Sequence, residues 1–350
     1  MLDEELEVRV ERIAHGGHAV ARHDGRVIFV RHALPGELVR ALITEEQKSF
    51  LRADAIDIIE ASPDRVTAPC PLAAPGVCGG CDFQHVALPA QRRLKADVVA
   101  EQLKRLAGLD REVEVDEVLP TLHWRTRMQY VDLPGGRRGL RKYRSHDIIE
   151  IDECLIEAPD TRRPSREVVT EQVLGRAFSV AGDGFWQVHP EAPRILVETV
   201  LRLLKPQPGE AALDLYAGVG LFTAFLAEAV GPHGRVTSVE GDGMASRLAR
   251  QNLAEFPQVR VVRGPVETSV RGPADLVVLD PPRTGAKRKV MDAVTQLRPR
   301  AIAYVACDPA ALARDVAYAA DAGYELADLK AFDLFPMTHH VECVALLRPL

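Results

Sequence analysis

The chain has 350 residues, 47% of them hydrophobic and 27% charged, a composition typical of a folded globular protein rather than a disordered or fibrous one. This length predicts two or three domains with sizeable cores. The net charge of −6 excludes a general nucleic-acid coat, although a local basic patch can still bind RNA. The N-terminus is unlike a secretory signal and no apolar run has the length of a membrane helix, so we expect a cytoplasmic protein.

Residues 1–60 alternate between apolar and polar positions, as the strands of a small sheet do. His23-Asp24-Gly25 and Leu34-Pro35-Gly36 supply turn signals between these strands. The pattern predicts a small β-barrel of the oligonucleotide-binding kind; a β-rich packing module without a ligand is the alternative. The predicted strands read LEVRVERIA, HAVARH, RVIFVRHA, ELVRALITEEQ and FLRADAIDIIE.

Cysteines dominate the start of the next segment, residues 61–182. Cys70, Cys78 and Cys81 share a loop rich in Pro and Gly, and Cys154 is the nearest candidate for a fourth ligand. Cytosolic proteins rarely hold disulfides, so the cluster points to a metal centre. Four thiolates suit tetrahedral zinc or a cubane iron–sulfur cluster, and one loop of three cysteines with a remote fourth favours iron–sulfur over zinc.

The same segment contains a predicted helix and a basic stretch. Residues 88–109 have an amphipathic pattern that predicts a helix. Between Arg125 and Arg144 the basic residues face only Asp132 as a counter-charge. Aromatic residues interleave with these cations, which favours stacking on unpaired RNA bases over a merely solvated loop face. The aromatic residues are Trp124, Tyr130 and Tyr143.

Residues 183–350 alternate strand and helix patterns, which predicts a parallel α/β sheet with an antiparallel finish. Ligands of such sheets bind at the carboxyl ends of the strands. The predicted strands read AALDLY, RVTSVE, VRVV, ADLVVLD, AIAYVA, YELADLKAF and HVECVALLR.

Two motifs at predicted strand ends indicate ligand binding. Asp214 closes the first strand and Gly218-Val-Gly220 follows, but Thr223 stands where a nicotinamide-binding fingerprint has its third glycine. The loop instead resembles the S-adenosylmethionine loop of class I methyltransferases, and Glu240, which ends the second strand, is placed to accept ribose hydroxyls. Asp280-Pro-Pro-Arg283 ends the fourth strand; such turns also occur in methyltransferases of exocyclic amines, so this motif leaves the target atom open.

A cysteine ends the fifth predicted strand. Cys307 precedes Asp308 and Pro309, which are start signals for a helix, and the positive end of a helix lowers a thiol pKa. A buried structural cysteine is the alternative. Uracil C5 is a poor nucleophile unless a thiolate adds at C6, and a base must then remove the C5 proton. Cys307 suits the first role and Glu342 the second, whereas an amino-group methylase needs neither.

Together these motifs resemble the RNA uracil-C5 methyltransferases over essentially the whole chain: an N-terminal TRAM domain, the CGGC loop, LDLYAGVG, DPPRTG, YVACDPAALARD and HVE. The resemblance implies an OB-like barrel at 1–60, a central iron–sulfur α+β domain at 61–182 and a Rossmann-like class I methyltransferase domain at 183–350. It implies Cys307 as nucleophile and Glu342 as general base. The implied [4Fe–4S] ligands are Cys70, Cys78, Cys81 and Cys154, and the implied donor contacts are Gln187, Asp214, Tyr216, Gly218, Gly220, Glu240 and Asp280.

The sequence departs from the family pattern near its proposed nucleophile. Asp308 and His189 stand where the family usually has Asn, and an anionic Asp308 opposes a low thiol pKa. We expect an S-adenosylmethionine-dependent enzyme that makes 5-methyluridine, with ribosomal RNA favoured over transfer RNA and no obligate protein partner. The alternatives are a methyltransferase of another RNA atom and a non-catalytic RNA-binding protein with a structural four-cysteine metal site.

Overall fold

The computed structural model describes residues 2–350, and the first part of it is a closed five-stranded barrel in the order β1-β2-β3-β5-β4. Alternate residues of these strands, such as Leu6, Val8 and Val10, fill the interior. Asp24 and Gly25 adopt positive φ angles, as a tight hairpin turn requires. The predicted barrel is therefore confirmed. Its strands are β1 Glu5–Ile13, β2 Ala19–His23, β3 Arg26–Arg31, β4 Leu38–Glu46 and β5 Phe50–Glu60.

The long helix α1 (Leu88–Ala107) ends at Gly108, whose φ of 68° is the left-handed cap that glycine favours. Its buried Lys95 pairs with Asp333 at 2.5 Å, which joins the helix to the C-terminal sheet. Strand β6 (Val115–Glu117) follows and adds to the edge of that sheet. The helix and strand thus pack with the C-terminal domain.

Small sheets make up the rest of the middle segment, and its loops carry the four clustered cysteines. Strands β8, β9 and β10 form one sheet, β7 pairs with β11, and β12 pairs with β13. Their bounds are β7 Arg125–Arg127, β8 Val131–Leu133, β9 Arg137–Arg141, β10 Ile148–Glu150, β11 Glu157–Arg162, β12 Val168–Val173 and β13 Arg176–Ala181.

An eight-stranded sheet in the order β16-β15-β14-β17-β18-β20-β19-β6 forms the C-terminal domain. Strands β14 to β18 are parallel, and β20 is antiparallel to both of its neighbours, as predicted. The strands are β14 Ala211–Leu215, β15 Arg235–Glu240, β16 Val259–Arg263, β17 Leu276–Leu279, β18 Ala301–Ala306, β19 Tyr324–Asp333 and β20 Glu342–Pro349. The helices are α2 Ala192–Leu204, α3 Leu221–Val230, α4 Gly243–Asn252, α5 Val266–Ser269, α6 Lys287–Gln296 and α7 Pro309–Asp321.

Two apolar cores lie on the two faces of this sheet, which explains why strands such as β17 and β18 are apolar throughout. One face packs on α2 and α3, and the other on α1, α6 and α7. Within residues 2–350, no helix is both long enough and apolar enough to cross a membrane.

Candidate active site

The predicted site residues converge on one edge of the sheet. Asp214, Glu240, Asp280 and Cys307 end or directly follow parallel strands, so they share the carboxyl edge. Strand β20 runs the opposite way, and its second residue, Cys343, pairs with Ala306. The first residue of β20, Glu342, therefore stands beside Cys307. Sheet register brings together two residues that lie far apart in the chain.

The loop after β14 has the backbone of a ligand cradle. Tyr216, Gly218 and Gly220 all adopt positive φ angles, and a Cβ at Gly220 would lie only 2.8 Å from the Leu253 side chain. The Gly218 N–H donates to one carboxylate oxygen of Glu240 at 2.8 Å. The loop therefore leaves its surface free of side chains at its glycines and holds Glu240 at its rim.

Asp214 is fully buried behind this loop. One carboxyl oxygen accepts from the Thr223 hydroxyl at 2.5 Å, whereas the other, Oδ1, has no hydrogen-bond partner among the described residues. Burial raises the pKa of Asp214 to about 7. Burial, followed by the charge of Asp214, also raises the pKa of Asp280 to about 7. Asp214 thus keeps a buried acceptor without a hydrogen-bond partner among the described residues, which fits a polar ligand in this part of the fold.

Cys307 sits at the start of α7, but its surroundings oppose the expected thiolate. Burial and then the charge of Glu342 raise the pKa of Cys307 to about 12, with smaller contributions from Asp280 and Asp308. Arg283 acts in the opposite direction. The expectation of a lowered thiol pKa is wrong, because burial of the thiol, and after it the nearby carboxylates, disfavours the charged thiolate.

Glu342 is also buried, and burial together with the charge of Asp280 raises its pKa well above the ordinary value. Burial therefore disfavours the charged forms of both Cys307 and Glu342. Both groups lose protons more readily if a cation enters the site.

A cavity of about 230 Å³ opens at Cys307. Its walls come from the barrel, from α1, from the start of α7 and from the segment before β20. Arg283, opposite the thiol, lies 3.3 Å from the ring nitrogen Nε2 of His340. The lining residues include His15, Gly17, Lys95, Arg283, Cys307 and His339. The barrel loop was not expected at this site, because no local sequence pattern reports such long-range packing.

The segment before α2 packs on the buried Trp124. Gln187 is buried, and Phe185, two residues earlier, is 75% exposed. His189 is fully buried, stacks on Trp124 and has a pKa lowered by burial. One ring nitrogen of His189 accepts from Glu191 N–H, so the other donates to the carbonyl of Pro120. His189 is therefore a neutral core residue.

The four clustered cysteines line one cavity of about 460 Å³. All four are partly buried free thiols, and burial raises the pKa of Cys81 to about 12. Within residues 2–350, however, no three His, Cys, Asp or Glu side chains stand in a metal-ligand arrangement. The fold gathers a donor set of the right chemistry around one space, but the thiols are not at ligand distances. The four residues are Cys70, Cys78, Cys81 and Cys154.

This cysteine loop is tied to the catalytic edge. Asp82, next to Cys81, lies 2.6 Å from Nδ1 of His339, and its backbone N–H donates to the Met337 carbonyl. The segment that leads into Glu342 is therefore anchored on the cysteine loop.

The basic stretch 125–144 is less open than the sequence suggested. Trp124 is fully buried, so it is wrong to expect it to stack on a base. Tyr130 lies beneath Arg138 and Arg163, and Tyr143 beneath Arg31 and Arg144. Several of the cations have carboxylate partners from other strands: Arg137 pairs with Glu150, Arg138 with Glu157 and Arg144 with Glu45.

Comparison with known proteins agrees with this architecture. The TRAM domain family matches residues 1–56, the methyltransferase small domain family residues 191–306, and the tRNA (uracil-5-)-methyltransferase family residues 273–349. An uncharacterized RNA methyltransferase of Streptomyces avermitilis is 44% identical over 99% of both chains. The chain belongs to the family of these RNA methyltransferases. A Bifidobacterium longum member is 37% identical over 98% of this chain and 96% of its own.

A solved structure is similar in fold to this RNA methyltransferase over nearly its whole length. The Pyrococcus abyssi tRNA (uracil-54, C5)-methyltransferase, in complex with S-adenosyl-L-homocysteine, superposes with a TM-score of 0.74. It is 22% identical and covers 98% of this chain and 100% of its own. The predicted class I methyltransferase fold behind a small barrel is confirmed.

Proposed function

We propose that this RNA methyltransferase transfers a methyl group from S-adenosylmethionine to C5 of a uridine, through a covalent bond between Cys307 and C6. The observation that carries the proposal is the pairing of Cys307 with Glu342 at the carboxyl edge of the sheet, beside an open cavity. A methyltransferase of exocyclic amines has no use for a buried thiol next to a buried carboxyl group.

The donor cradle supports S-adenosylmethionine as the methyl source. When bound, this molecule supplies an electrophilic methyl group on a positively charged sulfonium. The loop around Gly218 and Gly220 would leave room for it, Glu240 would accept its ribose hydroxyls, and the unpaired oxygen of Asp214 would accept a further hydrogen bond. The remaining contacts proposed are Gln187, Tyr216 and Asp280.

Each step of the proposed reaction moves a defined electron pair. The Cys307 thiolate adds to C6 of the uracil, and the C5=C6 pair becomes an enolate that attacks the methyl carbon. The sulfur–methyl bond breaks with its electrons remaining on sulfur. The Glu342 carboxylate then takes the C5 proton, the C5–H electrons re-form the C5=C6 double bond, and the Cys307 sulfur leaves C6 with its own pair.

The charges of the site suit a cationic donor. Burial raises the pKa of Asp280, Glu342 and Cys307, and the negative charges among them raise it further. A positive charge beside Asp280 lowers the pKa of all three groups. We infer that Glu342 and Cys307 become ionised mainly when the donor is bound. The Cys307 thiol would then be less reactive as long as no donor is bound.

The four-cysteine cavity fits a metal centre by its donor chemistry. We propose that Cys70, Cys78, Cys81 and Cys154 hold a [4Fe–4S] cluster, with zinc as the alternative. Such a centre would supply structural cross-linking of two loops, the one that carries Cys70, Cys78 and Cys81 and the one that carries Cys154. Because Asp82 hydrogen-bonds His339, fixing the cysteine loop would also fix the segment before Glu342.

The RNA would lie across the barrel and the middle domain, with the target uridine turned out of its stack into the cavity at Cys307. The barrel and the cysteine loop favour ribosomal RNA. Transfer RNA is the second candidate, because the family that matches residues 273–349 carries it in its name.

Product analysis tests the proposal. RNA from cells with and without the gene, digested to nucleosides, should differ in 5-methyluridine, and site mapping should show whether the uridine belongs to ribosomal or transfer RNA. Loss of an N-methylated nucleoside with unchanged 5-methyluridine would contradict the proposed target atom.

A further inference from the structure

We propose that His15, in the barrel loop between β1 and β2, is a positioning residue of the active site that restrains the carboxylate of Asp308 beside Cys307. The catalytic role of His15 rests on the proposed function. The contact itself and its electrostatic effect involve only the side chains of His15, Asp308 and Cys307. It assigns the barrel a part in the reaction site in addition to RNA binding.

The contact itself is direct. Nε2 of His15 lies 2.9 Å from one carboxylate oxygen of Asp308, and the other oxygen accepts the Ala311 N–H at 2.7 Å, so the side chain also caps α7. Burial alone raises the pKa of Asp308, but the hydrogen bond from His15 and that from Ala311 outweigh it and hold the pKa below the ordinary value. The carboxylate is therefore ionised, and His15 donates.

The loop is seated firmly enough to hold this contact. Gly17 has a φ of 77°, and a Cβ at this position would lie 2.5 Å from Cβ of His339. His339 is in turn held by Asp82. His15 and Gly17 therefore form part of the wall of the cavity at Cys307, and the loop cannot shift without disturbing that wall.

The electrostatic role follows from the groups around the thiol. Glu342, Asp280 and Asp308 all oppose ionisation of Cys307, and Arg283 favours it. Of these carboxylates, Asp308 is the immediate chain neighbour of the thiol. With His15 present, both oxygens of Asp308 have a hydrogen-bond partner. Without His15, one oxygen loses its partner, and the negative charge of Asp308 acts more strongly on Cys307.

The Asp308→Asn substitution separates this role from simple packing. Asn caps helices as well as Asp does, so α7 keeps its start while the negative charge is removed. If His15 acts by holding the Asp308 carboxylate, its loss lowers the reactivity of Cys307 in the native chain but has little effect once Asp308 is Asn. If His15 only docks the barrel, its loss has the same effect in both backgrounds.

The experiment measures the rate at which iodoacetamide alkylates Cys307 in the full chain, followed by peptide mass spectrometry so that other thiols do not interfere. At pH 8 we expect His15→Ala to slow alkylation about threefold to tenfold, corresponding to a thiol pKa higher by about half a unit to one unit. In the Asp308→Asn background the same substitution should change the rate less than about twofold, within the usual scatter of such cycles. His15→Gln, which retains a donor, should restore most of the rate.

His23→Ala is the matched control, since His23 also lies near an aspartate, Asp24, but at a hairpin of the barrel. It should leave alkylation unchanged. Equal slowing by His15→Ala in both backgrounds, or none in the native one, would overturn the proposal. Because alkylation needs neither RNA nor donor, this result stands apart from whether the enzyme forms 5-methyluridine.

Discussion

The carboxyl edge of the sheet and the four-cysteine cavity were both predicted from sequence, yet the structure completes only one of them. At the sheet edge, strand register places Glu342 beside Cys307 without any ligand. In the cavity, the four thiols surround a common space without reaching ligand distances. Hydrogen-bonded strands fix side chains by themselves, whereas loops rich in Pro and Gly need a bound centre to bring their ligands together.

The largest effect expected at the sheet edge comes from Cys307→Ala. Loss of the nucleophile should lower methyl transfer at least about 10⁴-fold, because nothing else in the cavity can add to C6. The measurement is transfer of labelled methyl to RNA under single-turnover conditions. Donor binding should stay within about threefold, which separates a chemical defect from a collapsed site; substantial remaining turnover would refute covalent catalysis.

Glu342→Gln tests the proposed general base at the same sheet edge. The amide keeps the shape but cannot accept the C5 proton, so turnover should fall about 10²- to 10⁴-fold, the range typical of general-base catalysis. The methylated RNA–protein adduct should then accumulate on gels. A variant that turns over normally would remove Glu342 from the role of base.

Cys81→Ser probes the other region. Because a structural metal centre contributes to folding, loss of one ligand should cost on the order of 3 kcal/mol in unfolding free energy. Purified variant should also lose its iron and sulfide, or zinc if that is the metal. Cys307→Ala is the control, since it should keep the native metal content. Native protein without bound metal, combined with unchanged stability of Cys81→Ser, would contradict a metal centre.

The carboxylates beside the donor predict a pH-dependent affinity. In the free protein the pKa values of Asp214 and Asp280 are both about 7, and a cation lowers them, so donor binding releases protons. Affinity for S-adenosylmethionine should therefore rise from pH 5.5 to 7.5, by up to about tenfold per pH unit for each group that ionises. Calorimetry should show a weaker dependence for Asp280→Asn; an unchanged slope would remove Asp280 from the linkage.

The same pKa values also predict an effect on stability. A carboxyl group whose folded pKa lies above its unfolded value of about 4 stabilises the fold at low pH, and this contribution is lost as pH rises towards 7. The protein without donor should lose on the order of 2–3 kcal/mol of unfolding free energy for each of the two groups between pH 5 and pH 7.5. Added donor should reverse much of that loss in thermal unfolding.

Sequence reasoning succeeded where local pattern determines structure. Alternation predicted the barrel strands, and Asp308 with Pro309 predicted the start of α7. Apolar strands followed by polar residues predicted which side chains reach the carboxyl edge. The structure places Cys307 and Glu342 at neighbouring strand ends; their catalytic roles stay predictions.

The sequence could not report contacts between distant segments. Nothing in the chain near Cys307 shows that Glu342 and Asp280 raise its pKa, or that His15 from the barrel reaches Asp308. The basic stretch looked open because its carboxylate partners, such as Glu45 and Glu157, lie on other strands. Tertiary packing decides charge balance and exposure, and composition does not.

The most direct test of the central claim uses RNA containing 5-fluorouridine, whose C5 fluorine cannot be removed as a proton. With S-adenosylmethionine, the native enzyme should form a stable RNA–protein adduct, and peptide mass spectrometry should locate the nucleotide on Cys307. Cys307→Ala should form none. An adduct that persists in this variant, or a native enzyme that methylates normal RNA without ever trapping the analogue, would contradict the account.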